Sequence, residues 1–311
     1  RVEGGGKYKP RLDSSERKII IAEPDNKIIK TIRNGRKDIF LIGFKSTCGA
    51  EEQEMYLKGL YLCKSSSANL VLVNDTINHT NMIITPEEAA YHVTKDREEA
   101  LKNLVEMAWY RSQLTFTRST VVDGTPVPWN DSSVPESLRK VVDYCRGANA
   151  YKPFNGGTVG HFAVKLSDNQ FLTSIRKSDF NKLDKIGLVK VETDGPDTVL
   201  AYGAKPSVGG QSQRTVFKDH VGYNCIVHFH CPLREIHPDK IPVVSQREVE
   251  CGSHQCGENT SAGLEQFGNL KAVMLNNHGP NIIFNDSIDP QEVINFIEAN
   301  FDLSKKTGGY H

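Results

Sequence analysis

The chain lacks the extremes of composition that narrow function quickly. No apolar run approaches the roughly 18 residues a membrane helix requires, so no partnership with the membrane interior is expected. Charge of neither sign is in excess: 38 Lys+Arg balance 38 Asp+Glu. Without a basic field, neither nucleic acid nor an anionic membrane surface is expected as a partner. The seven cysteines are odd in number and lack the spacing of a disulfide scaffold, which fits a reducing compartment and a cytoplasmic location. The opening Arg-Val-Glu-Gly-Gly-Gly does not have the order of a signal peptide. What remains, 38% hydrophobic and 24% charged residues over 311 positions, describes an ordinary soluble globular chain long enough for two domains. Its alternation of strand and helix patterns makes the fold class α/β.

From Lys18 to about Gln113, apolar segments alternate between strand and helix patterns. Ile19-Ile20-Ile21 is a short apolar run, and Ile28, Ile29 and Ile32 recur at helical spacing up to a stop at Asn34-Gly35. Asp38 to Phe44 and Leu70 to Val73 are apolar without alternation, as strands buried on both faces are. Between them, Glu51 to Lys64 carries Met55, Leu57, Leu60 and Leu62 in an imperfect helical stripe. Strand, helix and strand at that spacing predict a parallel βαβ unit. Asp96, with Glu99 three residues on, opens a further helix in the manner of a capping box. Leu101, Leu104, Val105, Ala108 and Trp109 are expected on its buried face.

The stretch 121–133, VVDGTPVPWNDSS, has turn residues and no period, so a linker is expected there between domains at 1–120 and 134–311. Ser133 and Glu136, with Pro135 in the first turn, then open a helix whose inner stripe is Leu138, Val141, Val142 and Cys145. Asp289-Pro290 opens a last helix with Val293, Ile294, Phe296, Ile297 and Phe301 inward.

The second part holds the chemistry. His228 and His230 follow the apolar run Cys225-Ile226-Val227, and residues two apart on a strand share a face. Neutral imidazole is the commonest ligand for zinc and similar metals. His278 is a third candidate, since it ends the apolar run Ala272-Val273-Met274-Leu275 and precedes Gly279-Pro280, where a strand should stop. Three histidines with a free fourth position describe a catalytic metal site, whereas His-x-His alone also arises by chance on a solvated strand. Cys251, His254 and Cys256 form a softer set of candidate ligands in a spacing no standard zinc finger has. The glycine-rich turn before Gly160-His161 can present backbone N–H groups to a phosphate. Thr173, Ser174, Arg176 and Lys177 place two hydroxyls beside two cations, which suits a small anionic substrate and equally an exposed basic turn.

These motifs and their spacing resemble the class II aldolase/adducin family from about Pro135 to the end. The resemblance implies an αβα domain around a central, mainly antiparallel sheet, with zinc or another divalent metal on His228, His230 and His278. Gly160 to Lys165 falls where the aldolases have Gly-Asn-x-Ser-x-Arg, whose Asn helps bind the substrate phosphate; this chain has His161 there. Thr173, Ser174, Arg176 and Lys177 match the second substrate loop, and Pro206-Ser207-Val208-Gly209 falls where sugar-phosphate aldolases have Pro-Ser-Ser-Glu. That Glu is their acid/base, and Gly209 cannot move a proton. Glu248 and Glu250 lie near the catalytic Glu of the methylthioribulose-phosphate dehydratase branch, would share a face of a strand, and are the expected replacements. The family tends to tetramers with sites near subunit interfaces, so a homo-oligomer is expected.

The first part is similar to the later portion of the phosphopantothenate–cysteine ligase domain at Lys7-Tyr8-Lys9, Gly43-Phe44-Lys45 and Asn74-Asp75. That similarity implies a partial Rossmann-like parallel fold with nucleotide contacts from Lys7, Phe44, and Lys58 or Lys64. The glycine-rich half that completes the ligase site is absent from the chain, so a scaffold remnant or the tail of a longer ligase is expected. Two main functions then compete. One is a metal-dependent lyase that cleaves, dehydrates or epimerises a small phosphorylated polyol or sugar through an enediolate. The other is a non-catalytic assembly module, as in adducin. The three histidines favour the first, and Gly209 favours the second.

Overall fold

The computed structural model describes residues 27–154, 156–207 and 211–308; Lys7, the apolar run Ile19-Ile20-Ile21, and Gly209 lie outside them. Among the described residues no helix is long and apolar enough to cross a membrane.

A four-stranded sheet takes Ile42–Thr47, Leu70–Asp75, Asn81–Ile84 and Ala90–Thr94 in that order. The first two run parallel around the helix Glu52–Ser66, as the βαβ pattern predicts. The third and fourth are antiparallel additions, so the sheet is mixed and only its first pair is parallel, unlike the all-parallel sheet expected. Along Leu70–Asp75, Val71 and Val73 face the core under helix Glu52–Ser66, while Leu70 and Leu72 face the core under helix Arg97–Ser112. Burial on both faces is why this run lacks alternation.

Several details differ from the periodicity. The first strand begins at Ile42, not Asp38, and as an edge strand it leaves Phe44 61% exposed. Leu57 is exposed on helix Glu52–Ser66, while Met55, Leu60 and Leu62 are buried. On helix Arg97–Ser112 the buried residues are Ala100, Leu104, Met107 and Arg111, and Val105 and Trp109 face outward. The inner face is rotated because its last position belongs to a charged residue, which no hydrophobic pattern marks. Asp96 does cap this helix, accepting from the Glu98 and Glu99 N–H groups.

A ten-stranded sheet, mainly antiparallel, holds the second part. Its strands feed two cores by alternation. Cys225 and Val227 enter the core beneath helices Glu136–Gly147 and Pro290–Asn300, and Ile226 enters the core beneath Gln211–Asp219 and His254–Gly263. Leu270, Ala272 and Met274 divide from Val273 and Leu275 in the same way. This is the expected αβα layering. The helix at Glu136 has no side-chain cap; Ser133 bonds Asp131 instead. Asp289 caps the last helix as anticipated. The stretch expected as a linker runs along this sheet: Arg118–Val122 pairs parallel with Thr198–Tyr202, and Trp129 is buried in the core.

The two sheets meet along a buried polar junction. Arg111, with none of its side chain exposed, pairs with the equally buried Glu87 and donates to the Gln246 and Arg247 carbonyls across the junction. The C-terminal tail returns to the same place. The Thr307 N–H and hydroxyl donate to the His230 and His278 carbonyls, and Lys306 pairs with Glu88.

Candidate metal centre

Three histidines converge from two chain segments. His228 ends the strand Cys225–His228, His230 lies two residues past that end, and His278 occupies the hairpin turn between Leu270–Leu275 and Gly279–Phe284. Gly279 lets the turn close on the strand. A side chain there would put its Cβ 2.1 Å from the Phe229 carbonyl oxygen, and its φ of +149° suits glycine. Candidate ligand atoms of the three rings lie within 4.8 Å of one another, and all three residues are buried. His228 Nε2, His230 Nδ1 and His278 Nδ1 are buried without a hydrogen-bond partner. Such orphaned groups are costly unless something else satisfies them. His228 Nδ1 lies 2.7 Å from the Pro280 carbonyl, which accepts its proton and leaves Nε2 with the free lone pair. Burial pushes the His228 imidazole down to about 4, and burial with neighbouring imidazoles holds His230 and His278 well below their ordinary range. Three neutral rings with inward lone pairs fit a divalent cation.

They open into a cavity of about 850 Å³ between the two sheets. Of the expected substrate residues, Gly160, His161, Arg176, Lys177 and Ser207 line it. Thr173 and Ser174 do not: Thr173 donates to the Phe162 carbonyl, and Ser174 stands behind Ser207, 3.0 Å away between hydroxyl oxygens. Lys205, unmarked by any motif, joins the basic wall. His161 lies opposite His228 in the neighbouring strand, with ring centroids 4.7 Å apart, and its Nδ1 meets the Gln213 amide. Its ring is thus anchored where the aldolase pattern has an Asn.

Glu250 lines the cavity and Glu248 does not. They lie in a loop rather than on a strand, so they share no face. Glu248 is held by Arg247 at 2.9 Å; burial opposes its charge, but the bonds from Arg247 and Ser245 bring its carboxyl below the usual range. Burial, seconded by the nearby Glu87 carboxylate, pushes Glu250 up to about 7, while a bond from Asn69 and the Arg111 and Arg33 charges partly offset this.

The residues singled out for nucleotide contact are scattered. Phe44 is exposed, Lys58 pairs with Glu54 on its own helix, and Lys64 lines the metal cavity, 3.3 Å from Glu88. At the strand–helix turn, where a phosphate would seek backbone amides, the Gly49 and Ala50 N–H groups already donate to Asp75. Cys251, His254 and Cys256 do not converge as ligands; among the described residues the three-histidine group is the one such cluster. His254 turns toward Thr117. Asn69, Arg111 and Glu87 were unforeseen because each lies far in sequence from the loop it serves.

Residues 139–288 match the family model of the class II aldolase and adducin N-terminal domain. No curated protein sequence matches the chain. Similar solved structures include YgbL of Escherichia coli, whose activity is named only as aldolase, epimerase or decarboxylase. That match has 20% identity and a TM-score of 0.36, covering 52% of this chain and 84% of that one. An L-fuculose 1-phosphate aldolase matches at 14% identity and a TM-score of 0.38, covering 53% and 81%. At such scores these likenesses add nothing to the family match. Residues 139–288 form a class II aldolase/adducin domain.

Proposed function

We propose that the chain is a metal-dependent lyase of class II aldolase type, acting on a small phosphorylated polyol or sugar by proton transfer next to a carbonyl. The observation that carries this reading is the convergence of three unpartnered imidazole nitrogens in a cavity that also holds a near-neutral carboxyl. His228, His230 and His278 would hold the cation, which when bound supplies Lewis acidity toward a carbonyl or hydroxyl oxygen pair. Arg176, Lys177 and Lys205 bind and orient an anionic end of the substrate, for which a phosphate is well suited. Ser207, braced by Ser174, offers a hydroxyl at the same wall. Glu250, titrating near 7, is suited to take a carbon-bound proton at neutral pH and to return it. A group outside the Pro-Ser-Ser-Glu position thereby takes the acid/base role that Gly209 cannot fill.

The test pairs elemental analysis with a screen of sugar phosphates. The purified protein should hold about one divalent ion per chain, and His278→Ala should lose both ion and turnover, since two ligands make a weak site. Full metal retention in both His228→Ala and His278→Ala would place the ion elsewhere. A metal-loaded protein without turnover across the screen would instead favour the assembly module.

A further inference from the structure

Asn69 immediately precedes the strand Leu70–Asp75 of the first sheet, outside the matched domain, and it is 181 residues from Glu250 in sequence. Its Nδ2 donates to Glu250 Oε2 at 3.2 Å. Its amide oxygen is held from two sides, by Arg33 Nη2 at 2.8 Å and the Leu41 N–H at 2.9 Å. Turning the amide over would break both of those bonds, so the NH₂ end is fixed toward Glu250. The backbone of Asn69 is pinned as well, its N–H donating to the Leu41 carbonyl. On the far side of the loop, Arg111 holds the Gln246 and Arg247 carbonyls while itself paired to Glu87.

We propose that Asn69 is a positioning residue for Glu250, so that the first sheet is a working part of the site and not an appended scaffold. This rests on the reading of Glu250 as the proton carrier. The groups acting on Glu250 come from several elements. Glu87 opposes its charge, Arg111, Arg33 and Asn69 favour it, and the Cys63 thiol is close enough to feel it. Of these, Asn69 is the one hydrogen-bonded to the carboxylate, fixing its rotation as well as its charge.

The test follows the Glu250 carboxyl directly, by carbon NMR of glutamate-labelled, metal-free protein, with the resonance assigned by its absence in Glu250→Gln. Asn69→Asp keeps an oxygen for Arg33 and Leu41 but replaces the donor by a second oxygen. The Glu250 midpoint should then rise by about one pH unit, because an ionised carboxylate loses a donor and gains a like charge. The acid limb of kcat/KM should rise with it, and kcat should fall more than KM changes. Arg33→Gln frees the Asn69 amide to turn and also removes the Arg33 charge, so it should move the midpoint in the same direction. Arg33→Lys, which keeps the charge but not the fork to the Asn69 oxygen, should do so by less. An unmoved midpoint in folded Asn69→Asp overturns the proposal. Should that variant not fold, an unmoved midpoint in Arg33→Gln overturns it equally. If the wild-type protein turns over no sugar phosphate, the lyase reading falls, while the NMR shift still reports whether Asn69 governs Glu250.

Discussion

Replacing Glu250 with Gln should change how stability depends on pH, in a direction fixed by the site. Burial pushes this carboxyl from its ordinary 4.5 to about 7 in the folded chain. A folded-state pKa above the unfolded one means that the native state holds the proton more tightly. The resulting stabilisation is fully present below about 4.5, fades as pH rises, and is gone above about 7. A separation of roughly two and a half pH units corresponds to about 3 kcal/mol. Gln has the shape of the protonated acid and keeps an oxygen for the Asn69 donor, so the variant and the parent should have similar stability at pH 5. At pH 8 the parent must carry a buried carboxylate, and Glu250→Gln should be the more stable by an amount approaching that figure. Urea unfolding of both proteins at the two pH values, with chelator present so that metal binding does not enter, measures the difference. A gap between parent and variant that is the same at pH 5 and pH 8 would refute the claim that Glu250 is buried as an acid. The same substitution should lower turnover by roughly 10²-fold or more, the scale of a lost general base.

Other expectations follow from individual contacts. Glu87→Gln leaves Arg111 buried without a countercharge and should destabilise the chain by about 3–5 kcal/mol, measurable by urea unfolding. It should also lower the Glu250 midpoint, since Glu87 is the largest charge pushing it up. Gly279→Ala puts a methyl group against the Phe229 carbonyl and should shift the His278 turn; elemental analysis should find the ion lost or weakly held.

What the sequence made legible was what alternation and turn chemistry encode locally. The strand Cys225–His228, the hairpin turn at His278 and the capped last helix each sit where their own few residues place them. The αβα layering was an expectation of the family resemblance, and in the structure alternating residues of the central strands feed two separate cores. Helix Arg97–Ser112 was misjudged for a physical reason: its buried face ends in Arg111, whose countercharge lies on a different element. The place of Lys64 in the cavity wall was illegible for a similar reason, since its partner Glu88 is brought up by the fold of the first sheet. Glu250 was readable as a candidate, and Asn69 was not, because an asparagine before an apolar run has no pattern of its own.

The junction bears on whether the first part is a remnant. A retained but idle scaffold would be expected to pack through ordinary apolar contact and leave its polar groups in water. Here a fully buried Arg–Glu pair is spent on the backbone of the loop that carries Glu250. Buried ion pairs add little net stability compared with apolar packing, so their presence is better explained by what they hold in place. The tail makes the same point from the other side. Glu88 accepts from Lys306 and is ion-paired with Lys64, and both ammonium groups flank the Phe154 ring, 5.5 and 5.4 Å from its centroid. One carboxylate between two lysines leaves one positive charge uncompensated beside the three histidines. That surplus faces the cavity through Lys64 and adds to the basic wall of Arg176, Lys177 and Lys205. Residues of both parts of the chain thus line one cavity, with Lys64 of the first part set in the same wall system as His228, His230 and His278.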